Sequence, residues 1–77
     1  MLEKVKLIIE DKIGVDLSEM ADDANLRDDL GIDSLDIIEI AMELEIVYKV
    51  KVDDERIKES ITITDIVTYM TELTKEI

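Results

Sequence analysis

Apolar residues recur along this chain at steps of three and four, the spacing that sets side chains on one face of an α-helix. Leu2, Val5, Ile9 and Ile13, with Ile8 beside them, predict a first helix, and Gly14 supplies its stop. Ile37, Ile40, Ala41, Leu44 and Tyr48 predict the inward stripe of a second, the longest apolar-periodic segment. Lys49-Val50-Lys51-Val52 alternates polar and apolar residues as a strand does, but it has no partner strand. An extended connection whose Val50 and Val52 touch the core is the expectation. Asp53 to Glu59 predicts a short helix with Asp53 capping and Ile57 inward. Thr62 begins the last helix, with Asp65 three residues on as in a capping box, and Ile63, Ile66, Val67, Met70 and Leu73 continue its stripe. The expected fold is all-α: a small bundle of three main helices plus one short helix, with a long loop between the first and second.

That loop, from Val15 to Ile32, is longer than most helix connections and needs anchors. Leu17, Leu26, Leu30 and Ile32 are the apolar candidates. Asp22, Asp23, Asp28 and Asp29 are expected to stay in water. A calcium-binding reading of this acidic stretch fails on register. An EF-hand requires an oxygen ligand at its fifth position and glycine at its sixth, where a loop starting at Asp23 has Arg27 and Asp28. No metal site is predicted.

The second helix carries more apolar residues than one buried stripe requires. Leu35, Ile38, Met42 and Ile46 form a second stripe to one side, while Asp36, Glu39 and Glu43 cluster opposite the core. Either the other helices cover this second stripe, or Leu35, Ile38 and Met42 are partly exposed beside the acids. An apolar strip rimmed by charge suits transient docking, because burial supplies affinity and charge supplies register. Just before the helix stands Gly31-Ile32-Asp33-Ser34-Leu35-Asp36. A serine at a helix start ordinarily caps it, accepting a backbone N–H that has no partner within the helix. Asp33 is at least as good a cap, which leaves the Ser34 hydroxyl open for other work.

Composition narrows that work. The 77 residues suffice for one domain, 1–77, near the lower limit for a core without staples. Cysteine and histidine are absent, which removes thiol nucleophiles, Ser-His and Cys-His pairs, and the commonest transition-metal ligand. Nor do Gly31 to Leu35 match the G-x-S-x-G nucleophile elbow. No catalytic residue is assigned, and an enzyme is not expected. The formal charge of −12 opposes binding to nucleic acid or an anionic membrane and favours docking onto basic patches. No apolar run reaches transmembrane length, and the start lacks the features of a signal peptide. A soluble, cytoplasmic monomer is expected.

The motif and its context, from a first helix through an acidic loop ending in Asp29-Leu30-Gly31 to Asp33-Ser34-Leu35-Asp36 and two further helices, resemble the acyl carrier protein family nearly end to end. The resemblance implies that Ser34 bears 4'-phosphopantetheine, donated by coenzyme A through a phosphopantetheinyl transferase. The thiol of that arm would carry acyl groups as thioesters between acyl transferases, synthases or ligases. It further implies that Asp33, Leu35, Asp36, Ile38, Glu39 and Met42 meet those partners, and that the chain itself catalyses nothing. This sequence departs from the family pattern in Ile46 and Val47 at the end of the second helix, in the cations Lys49, Lys51, Arg56 and Lys58, and in Asp53 where proline is common. The departures bear on which partners dock. A carrier in fatty acid, specialised lipid or polyketide synthesis is favoured. A carrier of aminoacyl or peptidyl groups, or an unmodified acidic helical binding module, is the alternative.

Overall fold

A computed structural model describes residues 1–17, 20–21 and 23–75. Its helices are α1 (Leu2–Ile13), α2 (Ser34–Tyr48), α3 (Asp54–Ile57) and α4 (Ile63–Thr74), with no strand among the described residues. Each boundary has a local cause. Gly14 ends α1 in the left-handed conformation at φ 70°, its N–H donating to the Glu10 carbonyl at 2.7 Å. Asp33 caps α2, Asp53 caps α3 and Thr62 caps α4. In α4 the expected capping box is complete. Asp65 N–H donates to Thr62 Oγ1 at 3.2 Å, and Asp65 Oδ2 accepts from the N–H groups of Ile61 at 2.9 Å and Thr62 at 3.1 Å. These bonds favour the charged form and hold the Asp65 carboxyl below its ordinary pKa.

α1 packs against α2 and α4, and α3 against α2. The shared core is aliphatic apart from Met70 and Tyr69: Val5 and Ile9 from α1, Ile37, Ile40, Ala41 and Leu44 from α2, Ile57 from α3, and Ile63 and Ile66 from α4. No polar or charged residue is buried among those described, so the fold meets no desolvation cost for an internal charge. Tyr48 is half-buried at the end of its stripe, and its hydroxyl oxygen is buried with no hydrogen-bond partner among the described residues. That burial pushes its pKa up. The short helix is tighter than the predicted 53–59 span, and Lys58 and Glu59 follow it as a turn.

The long loop is tied down by its predicted anchors. Leu17, Leu26 and Ile32 are buried, and Leu30 packs against the core from a half-buried position. Val52 is likewise buried and Val50 half-buried in the connection between α2 and α3. Backbone bonds fix the loop as well: Leu26 N–H donates to the Ile61 carbonyl at 2.8 Å beside an isolated antiparallel bridge between Asn25 and Thr62. Two helix carboxylates capture loop amides, Glu10 accepting from Leu17 N–H at 2.9 Å and Glu45 from Val52 N–H at 3.0 Å. Asp23, Asp28 and Asp29 are exposed as expected, whereas Asp22 lies outside the described residues.

Candidate functional site

The start of α2 is built by three successive devices. A turn from Asn25 to Gly31 comes first. Asn25 Oδ1 accepts from the N–H groups of Arg27 and Asp28, both at 2.9 Å, and Asp29 Oδ2 accepts from Asn25 N–H at 2.8 Å. Gly31 follows at φ 68°, a conformation that glycine adopts without the Cβ penalty, and reverses the chain. Then Ile32 inserts into the core, its N–H donating to the Leu26 carbonyl at 2.9 Å, and so fixes where the next residues emerge.

Asp33 and Asp36 close the helix end on each other. Asp36 N–H donates to Asp33 Oδ1 at 2.9 Å and Asp33 N–H to Asp36 Oδ2 at 3.2 Å. The cap is therefore Asp33, and Ser34 is the first helical residue, exposed, with its hydroxyl free of capping duty. Arg27 reaches it across the turn, an Nη2 proton donating to Ser34 Oγ at 3.5 Å. The contact was not foreseen from sequence. The signal lay in a single cation amid Asp28, Asp29, Asp33 and Asp36, but only the turn shows where it goes.

Along α2 the second apolar stripe is left uncovered. Leu35 is 64% exposed, Met42 57% and Ile46 70%, with Ile38 half-buried between them. Of the acids, Glu43 is exposed, while Asp36 and Glu39 are half-buried. Glu39 lies 3.9 Å from Lys12 of α1, a long and partly solvated ion pair worth little. The structure thus brings Asp33, Ser34, Leu35, Asp36, Ile38, Glu39 and Met42 onto one helix, beginning at its N-terminus. Among the described residues no group of three carboxylates is placed to hold a metal ion, and no helix is long and apolar enough to cross a membrane.

A helical bundle that offers an open hydroxyl at a helix start, beside an uncovered apolar strip, is built to present a group rather than to enclose one. The phosphopantetheine attachment site family matches residues 3–70. The acyl carrier protein of Thermotoga maritima is 46% identical over 70 residues, covering 91% of this chain and 86% of the relative. A crystal structure of acyl carrier protein from Thermotoga maritima superposes with a TM-score of 0.83 at 25% identity, over 97% of this chain and 87% of that one. The chain belongs to the acyl carrier protein family, whose members bear covalently attached 4'-phosphopantetheine. The site fits such a group. A primary hydroxyl stands in the open, carboxylates on either side are held back by their own hydrogen bonds, and a guanidinium nitrogen lies 3.5 Å from that hydroxyl.

Proposed function

We propose that Ser34 is the attachment residue of a single acyl-carrying unit spanning residues 1–77, and that the uncovered face of α2 is where its partners dock. The observation that carries the reading is the division of labour at the helix start: Asp33 does the capping, so the exposed Ser34 hydroxyl is not needed as the cap. In the modification, Ser34 Oγ would attack the coenzyme A phosphorus that bears pantetheine. A Ser34 O–P bond forms, the bond to the bisphosphorylated adenosine half breaks, and the serine proton leaves to the transferase or solvent. When bound, the group supplies a thiol that holds the cargo as a thioester.

The chain's own part is presentation. Leu35, Ile38 and Met42 offer apolar area to a partner, while Asp33, Asp36 and Glu39 set the charge pattern that a basic patch on a transferase, synthase or ligase would read. With no histidine or cysteine, the chain lacks the usual acid-base and thiol groups, and the reading assigns it no catalysis. The cargo is an acyl intermediate of fatty acid, specialised lipid or polyketide synthesis, carried by a monomer in the cytoplasm.

The test is intact-mass spectrometry after incubation with coenzyme A and a broad-specificity phosphopantetheinyl transferase, with Ser34→Ala alongside. The expected result is a gain of one phosphopantetheine in the parent protein and none in the variant. A gain that persists in Ser34→Ala, or no gain while a control carrier in the same tube is modified, would overturn the assignment.

A further inference from the structure

Arg27 in the long loop has a fixed backbone and a side chain that the core does not use. Its N–H donates to Asn25 Oδ1 at 2.9 Å, and its carbonyl accepts from Gly31 N–H at 3.1 Å, so its backbone is fixed on both sides. Its side chain is exposed and contributes nothing to the core. Acids surround it in sequence, Asp28 and Asp29 next to it and Asp33 and Asp36 just beyond, yet among the described residues no carboxylate lies within ion-pair distance of its guanidinium. The guanidinium goes instead to Ser34 Oγ, at 3.5 Å. A neutral hydroxyl at that distance is a poor partner for a cation.

Attachment at Ser34 would change the partner. The phosphodiester adds a negative charge and two non-bridging oxygens to the same Oγ, one bond further out. The planar fork of a guanidinium matches such a pair of oxygens and forms charge-assisted bonds with them. The new anion would also sit between Asp33 and Asp36, whose like charges repel it, and Arg27 is the cation that the structure brings to this point. The N-terminus of α2 favours an anion too, but it does so whatever residue occupies position 27.

We propose that Arg27 is a positioning residue, one that clamps the phosphodiester formed at Ser34 and fixes the direction in which the arm leaves the helix. The proposal rests on Ser34 being the attachment residue. It goes further in giving the group a partner outside the attachment motif.

The experiment compares unloaded and loaded full chains. Intact mass first establishes that the parent protein and Arg27→Gln each gain one phosphopantetheine and that Ser34→Ala gains none. Nitrogen–proton NMR of the arginine side chains then reads the contact directly. The chain has two arginines, and Arg56 is an internal control, bonded to Glu72 at 3.1 Å and stacked 5.1 Å from the Tyr69 ring centroid. On loading, the Arg27 Nε–Hε resonance is expected to shift while that of Arg56 stays in place. The phosphorus resonance of the loaded protein is expected to differ between the parent and Arg27→Gln, with Arg27→Lys in between because it keeps charge and loses the fork. Loss of the mass gain, or its survival in Ser34→Ala, would overturn the attachment reading and the clamp with it. A normal mass gain with an unmoved Arg27 resonance, or with the same phosphorus resonance in all three proteins, would overturn the clamp alone.

Discussion

Leu35 offers the sharpest test of the docking face. It follows the proposed attachment residue directly and leaves 64% of its surface in water. Full burial of a leucine side chain is worth about 1.5–3 kcal/mol. The fraction still exposed therefore leaves about 1–2 kcal/mol to be gained if a partner covers it. Leu35→Ala should forfeit most of that gain and raise the KM of the transferase for the unloaded carrier about five- to twentyfold, at roughly 1.4 kcal/mol per factor of ten. Stability should barely change, because the side chain adds little to the core and alanine favours helix, which places the variant within about 0.5 kcal/mol of the parent. Leu7 on α1 supplies the control. It is 63% exposed, so Leu7→Ala removes the same atoms from the same degree of exposure on a different helix, outside the proposed strip. The assay is the initial rate of phosphopantetheine transfer against carrier concentration for the three proteins, with thermal melts of each. If Leu35→Ala and Leu7→Ala have KM values within about twofold of each other, exposure alone explains the apolar residue at position 35 and the docking argument fails.

Two predictions concern how the frame behind that face is held. Tyr69 OH accepts from Asp53 N–H at 2.9 Å, so Tyr69→Phe orphans a partly buried amide at the start of α3 while the ring and its contact with Arg56 remain. The cost is about 1–2 kcal/mol, a fall in Tm of roughly 5–15 °C in a domain of this size, and a melt within about 2 °C of the parent would contradict it. The Asp65 pKa is lowered in the folded state, so the stability it contributes is present above the ordinary carboxylate range and is lost as pH falls through its lowered value. The gap in unfolding free energy between the parent and Asp65→Asn should therefore be constant near neutral pH and shrink in acid, and paired urea melts that show a gap independent of pH would defeat this account.

The inward stripes are plain in the sequence because apolar residues at helical spacing share one face, and each helix here buries one such face. Ile37, Ile40, Ala41 and Leu44 are buried as spaced, and the loop anchors Leu17, Leu26 and Ile32 stand out as lone apolar residues among acids. Capping was legible where a side chain announces it, at Thr62 with Asp65 and at Asp53. Periodicity could not decide whether the second stripe of α2 was covered, since that depends on where α1 and α4 lie against it. Tyr69 is buried although it falls outside the apolar stripe, because its ring closes the core while its hydroxyl reaches the α3 cap. The end of α2 carries no glycine signal, as Lys49 adopts the left-handed conformation at φ 55°. Arg27 shows the same limit at the site itself. Ser34 lies seven positions further along the sequence, and only the turn anchored by Asn25 brings the two together.

At Asp33 and Asp36, folding and docking are carried by the same atoms. Each carboxylate accepts the other residue's backbone N–H, so removing either takes away a cap worth about 1 kcal/mol together with a negative charge beside Ser34. A loss of transfer in such a variant mixes the two effects. Leu35 and Met42, which cap nothing, report on docking alone. The coupling also has a use. The rotamer of each bonded carboxylate is already fixed, so a partner's lysine or arginine meets a group whose ordering cost was met when the chain folded. Glu43, exposed and outside the capping box, has that freedom still to lose on binding. The capping box therefore does more than start a helix: it sets two charges, one on each side of the proposed attachment residue, in fixed places before any partner arrives.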